Sequence, residues 1–221
     1  MIQETTFQFL RNLEKNNTRE WFNDNKNTYE YEKANFVDFC SELLEGLKLI
    51  QENLLYTDVK SCIFRINRDI RFSKDKSPYK TYFSAAFGPG GRSSGQIDFY
   101  IQLQDNETML GGGMWQPTAE NLGKFRQEID YNPEELKNII NSDNFRNHFP
   151  EVHGQELVTS PKGYSKDHPE IELLRKKEMF FVKKFTNGEV LKKDFTEIML
   201  THCKVLKPYL DYLNELFEPT K

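Results

Sequence analysis

The sequence predicts an α+β fold: helices first, then consecutive strands, then helices again. Three observations predict it. Apolar residues recur at three- and four-residue spacing through the first fifty positions. The period then shortens to two, most cleanly at Ile97, Phe99, Ile101 and Leu103, which alternate with Asp98, Tyr100 and Gln102. Helix signals return after Pro117. Strands in direct succession with short connections imply an antiparallel sheet, here of four or more strands, packed by N- and C-terminal helices. The chain has 221 residues with no internal repeat and no obvious linker, so residues 1–221 are expected to form a single domain.

The elements follow in order. Thr5 to Leu13 reads as a short helix with Phe9, Leu10 and Leu13 inward. Asn16-Asn17 breaks it, and Thr18 is a suitable N-cap for a longer helix running to about residue 50, with Trp21, Phe22, Tyr29, Phe36, Cys40, Leu43 and Leu47 on its apolar side. Val59 to Ile66 is rich in β-branched and aromatic residues and reads as a strand, Thr81 to Phe87 as a second. Gly88 to Gly95 is a loop by composition, Asp105-Asn106 a tight turn, and Thr108 to Met114 the return strand. Leu122, Phe125 and Ile129 mark a helix face. Asn132-Pro133 then opens another helix, and Phe145 and Phe149 belong to a short third one. Residues 150–170 are loop-rich, Met179 to Phe185 is a further strand, and Val190 to Phe217 is helical with a break near Pro208.

Composition narrows the function classes. The net charge is −4 and the pI about 5.7, which argues against a general nucleic-acid binder with a broad basic face. Mean hydropathy is −0.73, and no apolar run approaches the roughly 20 residues that span a bilayer. Met1-Ile-Gln-Glu-Thr-Thr-Phe has neither a basic nor an apolar leader region, and the three cysteines are far apart and odd in number. A cytoplasmic protein without a disulfide framework is the expectation. No paired-Cys spacing, His-Glu-x-x-His helix, Walker loop, Gly-x-Ser-x-Gly elbow or dinucleotide turn is present, so neither a metal nor another cofactor is expected.

Against this acidic background stands one cationic island. Arg65, Arg68, Arg71, Lys74, Lys76 and Lys80 fall within sixteen residues, against Asp69 and Asp75. Guanidinium groups are permanently charged and present forked donors that match phosphate or carboxylate oxygens. Ile66, Ile70, Phe72 and Tyr79 are interleaved with the charges and are expected to anchor the segment against the core. The plain alternative is a solvated, charged turn whose arginines pair with neighbouring acids.

The run Arg65-Ile-Asn-Arg68-Asp69-Ile-Arg71-Phe72, with Asp75-Lys76 and Pro78-Tyr79-Lys80, resembles a mostly bacterial family known as domain of unknown function 2461. The resemblance extends to Asn16-Asn17, Glu20-Trp21-Phe22, Lys26 and Tyr29, then Gly112-Gly113, Trp115, Pro117, Leu122 and Arg126, and finally Pro161 to Tyr164 and Asp167-His168-Pro169. It implies membership and a shared pocket, but no reaction.

These observations define an expected site for a small anionic, phosphorylated ligand. Arg65, Arg68, Arg71 and Lys76 would neutralise it, and Tyr79, with Tyr82 as a partner, would stack on it or hydrogen-bond to it. Lys80, Lys26 and Arg126 are further candidate ligand-binding residues. If the protein is an enzyme, phosphoryl or acyl transfer or hydrolysis fits the charge, with Asp69 or His168 moving the proton. An interaction module for an acidic protein or a nucleic-acid backbone, and a purely structural arginine cluster, are the alternatives. Oligomeric state is not legible in the sequence.

Overall fold

The structure, a computed structural model, describes residues 1–218. In chain order its elements are α1 (Glu4–Lys15), α2 (Arg19–Asp24), α3 (Lys26–Lys48), a single 3-10 turn (Glu52–Leu54), α4 (Val59–Cys62), β1 (Phe83–Phe87), β2 (Phe99–Leu103), β3 (Thr108–Met114), α5 (Ala119–Tyr131), α6 (Glu134–Asn141), α7 (Asp143–His148), β4 (Glu151–His153), α8 (Ile171–Leu174), β5 (Met179–Phe185), α9 (Asn187–Val190) and α10 (Phe195–Phe217). The strands form one antiparallel sheet in the order β1-β2-β3-β5-β4, so the α+β expectation holds. No helix among the described residues is long and apolar enough to cross a membrane.

Contacts divide the chain into two compact units. The first is Met1–Leu110 with Lys184–Cys203; the second is Gly111–Lys183 with the chain from Lys204 onward.

In the first unit, α1 buries Phe7, Phe9, Leu10 and Leu13, and α3 buries Tyr29, Phe36, Phe39, Cys40, Leu43, Leu44 and Leu47. These stripes follow the three- and four-residue spacing of the sequence. Their rings meet those of the sheet: Phe83 lies 5.5 Å from Phe36 and 6.3 Å from Phe9, centroid to centroid. Strands β1 and β2 pair from Phe83↔Leu103 to Phe87↔Phe99. The turn into β3 closes at Asn106, which takes a left-handed φ of 56°. Its neighbour Asp105 accepts hydrogen bonds from Arg11 and Asn187.

In the second unit, α5 and α6 bury Phe125, Ile129 and Leu136, and Thr118 caps α5 by accepting from the Asn121 N–H. The core here is a ring cluster in which Tyr209 meets Phe181 and Phe145 edge-on. Strand β4 pairs antiparallel with β5.

Several boundaries differ from the sequence reading. The helix expected from Thr18 to about residue 50 is two helices, because the Asn25 side chain bonds back to the Trp21 carbonyl and ends α2. Val59–Cys62 is a helical turn and not the start of a strand. The carbonyl of Asp58 gathers the Ser61 N–H and hydroxyl, so extended backbone begins only at Ile63. Asn132 ends α5 by donating its N–H to Glu128, and the Pro133 carbonyl accepts the first bond of α6. A short strand, β4, lies within the loop-rich 150–170 segment. Finally, α10 runs through Pro208 unbroken. One proline removes one backbone bond, and the buried side chains of Leu206, Tyr209 and Leu210 hold the helix together around it. The interruption falls earlier, after α9, a short helix that Thr186 and Glu189 open with a reciprocal capping box and that ends at Leu191.

Candidate functional site

The cationic segment is a loop suspended between two antiparallel stretches of the first unit. Phe64 N–H donates to Ser84, Lys80 N–H to Ile66 and Arg68 N–H to Pro78. Ile66 and Tyr79 are buried, and the Tyr79 ring stacks on Phe22 at 3.9 Å. Asn17, between α1 and α2, reaches this stretch with its side-chain amide. It donates to the Tyr79 carbonyl (3.0 Å) and accepts from the Tyr79 N–H (3.1 Å), satisfying two backbone groups at once. Losing both bonds costs about 1–3 kcal/mol. Asn17→Ala is therefore expected to lower the melting temperature by about 2–12 °C at roughly 2–4 °C per kcal/mol. An unchanged thermal melt would show that Asn17 does not hold the loop.

The loop's charges are partly spent on one another. Arg68 forms an ion pair with Asp75 and also donates to the Ser77 carbonyl. Hydrogen bonds from the Ser77 N–H and hydroxyl, with Arg68 beside them, hold the Asp75 carboxyl well below the usual carboxylate range. Arg71 grips Asp69 through Nε (3.0 Å) and Nη2 (2.6 Å), and its side chain is 76 % exposed. That guanidinium keeps Asp69 ionised and pushes its carboxyl pKa down, which opposes the proton-transfer role expected of Asp69. Lys76 donates to the Ile70 carbonyl within the same loop. Exposed pairs of this kind contribute little to stability and mainly shape the loop.

Beside the loop lies a cavity of about 570 Å³ lined by Arg68, Asp75, Tyr79, Lys80 and Tyr82, with Glu14, Asn17, Asp69, Ser77 and Thr81 completing the wall. Lys80 is its least neutralised cation. The ammonium sits 5.2 Å from the centre of the Phe64 ring and 5.8 Å from that of Tyr82. Among the described residues no carboxylate comes within 4.0 Å of Lys80 or of Arg65. Burial lowers the Lys80 pKa, and repulsion from Arg65 lowers it further. The Tyr82 hydroxyl is pushed up by burial and drawn partly back by Arg68.

Of the expected site residues, Arg68, Tyr79, Lys80 and Asp69 meet in this wall, and Arg65 acts on it through its charge. Arg71 and Lys76 turn to other partners in the loop. Lys26 is exposed on the first turn of α3 and is not part of the wall. Arg126 and His168 belong to the second unit and are also absent from it. Arg126 donates to the Leu174 carbonyl, tying α5 to α8. His168 accepts the Glu170 N–H at Nδ1, which leaves the proton on Nε2 facing Asp130 at 3.0 Å. Both ring nitrogens are thereby engaged, and the adjoining Asp167 is not the partner.

Gly111 and Gly113 of the Gly111-Gly112-Gly113 run answer a packing need. A Cβ on Gly111 would lie 2.5 Å from the Phe180 ring. Glu14, Asn17, Asp75, Ser77 and Thr81 line the cavity without being among the site residues expected from the sequence. Asn17 carried a signal in the helix-breaking Asn16-Asn17 pair, but its partner lies 62 residues away. Among the described residues, no three His, Cys, Asp or Glu side chains are grouped so as to hold a metal ion.

No curated protein and no solved structure matches the chain. A family model described as "Conserved hypothetical protein (DUF2461)" matches residues 5–212, and the chain belongs to that family.

Proposed function

We propose that the cavity beside the 68–78 loop binds a small anionic ligand, with a phosphate or carboxylate group seated between Lys80, Arg68 and Arg65 and the Tyr82 hydroxyl available to it. One observation carries the reading. Lys80 and Arg65 are close enough to repel, Lys80 is partly desolvated, and neither has a carboxylate in ion-pair range. Asp69 attracts Arg65 from beyond ion-pair distance, but like charges with no carboxylate in direct contact are relieved by a bound anion, and guanidinium and ammonium groups supply the charge-assisted donors that hold it. The reading is one of binding. Asp69 and His168, the groups expected to move a proton, are both committed to other contacts.

The test is thermal stabilisation by inorganic phosphate, a sugar phosphate, a nucleotide and a dicarboxylate, each at two salt concentrations. At least one is expected to raise the melting temperature saturably. Lys80→Met should weaken that ligand roughly tenfold to a hundredfold, the effect of losing one charge-assisted hydrogen bond. Arg71→Ala, outside the wall, should leave it within about threefold. No stabilisation by any of the four, or equal binding by Lys80→Met, overturns the proposal.

Phe72 favours a second reading. It is 95 % exposed on the same loop, between Arg71 and Lys74, as in a surface that grips an acidic macromolecule. Binding of that kind falls steeply with salt, because many counterions are released together, and it would be lost in Phe72→Ala.

A further inference from the structure

We infer a second site in the first unit, separate from the anion cavity and of opposite polarity: a pocket among α1, α2 and α3 that takes a small ammonium cation, with Glu32 as its counter-charge. It goes beyond the proposed function and stands without it.

The argument begins in the sequence of α3. Its buried stripe reads Tyr29, Glu32, Phe36, Cys40, Leu43 and Leu47, so one carboxylate occupies a core position among apolar side chains. Glu32 is 2 % exposed. Its Oε2 accepts the Thr6 hydroxyl at 2.7 Å, and Asn35 Oδ1, at 3.0 Å from the same hydroxyl, competes for that one proton. Among the described residues no Lys, Arg or His lies within 4.0 Å of it. A carboxylate in a core position with no cation in contact is an unfavourable element of a fold unless its free oxygen faces a space that a cation can enter.

The structure places a pocket at this carboxylate. A cavity of about 180 Å³ is lined by Thr5, Gln8, Phe9 and Asn12 of α1, by Trp21 of α2, and by Asn25, Thr28 and Glu32 at and after the start of α3. The α1 residues recur at three- and four-residue steps and form one helix face. Phe9 and Trp21 lie 6.1 Å apart, centroid to centroid, and supply two aromatic walls. A carboxylate with aromatic faces and neutral amide and hydroxyl groups around it is the chemistry that holds an ammonium ion: the charge is met by Glu32, the rings attract the cation, and the amides accept its remaining hydrogens. An anion would face Glu32 unneutralised. A neutral alcohol would leave the buried charge unmet.

The experiment uses the full chain with Trp115→Phe, which leaves Trp21 as the single tryptophan, since the chain has two. Trp21 fluorescence is followed against ethylammonium chloride, sodium chloride at matched ionic strength, and ethanol as the neutral analogue. Ethylammonium is expected to give a saturable change that the other two do not. In Glu32→Gln its affinity should fall roughly tenfold to a hundredfold. The melting temperature of Glu32→Gln without ligand should be unchanged or higher, because the amide keeps the Thr6 bond and removes the unmet charge. The inference is overturned by an equal response in Glu32→Gln, by a response to ethanol, or by no saturable response in the parent. It is also overturned if Glu32→Gln melts lower than the parent or fails to fold, which would make the carboxylate a structural group.

Discussion

Replacing Gly113 by alanine is expected to destabilise the protein by about 4 kcal/mol and to lower its melting temperature by roughly 10 °C. Two separate effects add. Gly113 sits in β3 with a φ of 137°, a conformation that side-chain-bearing residues rarely adopt. A Cβ there would also lie 2.3 Å from the Met179 carbonyl oxygen of β5 and 2.8 Å from the Tyr209 ring. Neither neighbour can withdraw freely. The Tyr209 hydroxyl donates to that same Met179 carbonyl at 2.7 Å, and Tyr209 is fully buried. Moving the carbonyl would break this bond in the interior, and moving the ring would disturb its edge-on contacts with Phe181 and Phe145. Gly123→Ala provides the internal contrast. Gly123 lies within α5, where an added Cβ meets nothing within 4 Å. There alanine should stabilise by about 0.5–1 kcal/mol, by removing glycine's excess freedom from the unfolded chain. Thermal or denaturant melts of the two variants check both signs. A Gly113→Ala protein that melts with the parent would show that β3 and β5 are not packed this closely.

Residue spacing reveals elements whose burial is one-sided, and it does so well here. The stripe on α3 and the alternation at Phe99, Ile101 and Leu103 both reappear as buried faces. It fails where a local hydrogen bond overrides composition. Val59 and Ile63 favour extended structure, yet the Asp58 carbonyl coils the chain between them for one turn. The same limit applies to the candidate site. Charge density marked the loop, and Tyr79, Lys80 and Arg68 do face a common cavity. What sequence could not show is which charges are already neutralised. Asp69 takes Arg71 two residues on and Asp75 takes Arg68 seven residues back, whereas Arg65 and Lys80 have no carboxylate in ion-pair contact, Asp69 reaching Arg65 only at longer range, although nothing in their spacing sets them apart. Asn17 and Glu32 were hidden for another reason. Their importance depends on partners on other elements, Tyr79 for one and Thr6 with the pocket wall for the other.

Asp98→Asn is expected to stabilise the protein above about pH 6 by about 1–3 kcal/mol, and to leave it little changed near pH 4. Asp98 lies just before β2, partly buried, with the Ser94 hydroxyl donating to its carboxylate at 2.8 Å. The backbone at Gly88 presses against it so closely that a Cβ there would fall 2.0 Å from Asp98 Oδ1. Burial pushes the Asp98 pKa up to about 6 from the ordinary 3.8, with the Ser94 bond pulling the other way. Between those two values the folded protein binds the proton more tightly than the unfolded chain. Asp98 therefore makes stability fall as pH rises from about 4 to about 6, and above that window the loss is complete. This is opposite in sign to Asp75, whose depressed pKa contributes stability at neutral pH that is lost on acidification. Asparagine keeps an oxygen for the Ser94 hydroxyl and carries no charge to desolvate, so the variant should lack this part of the pH dependence. Melting temperatures of parent and variant, measured from about pH 4 to about pH 8, should diverge steadily as pH rises and then run parallel. Curves parallel throughout, or a variant less stable near pH 8, would mean that the Asp98 carboxylate is solvated or is met by a partner other than Ser94.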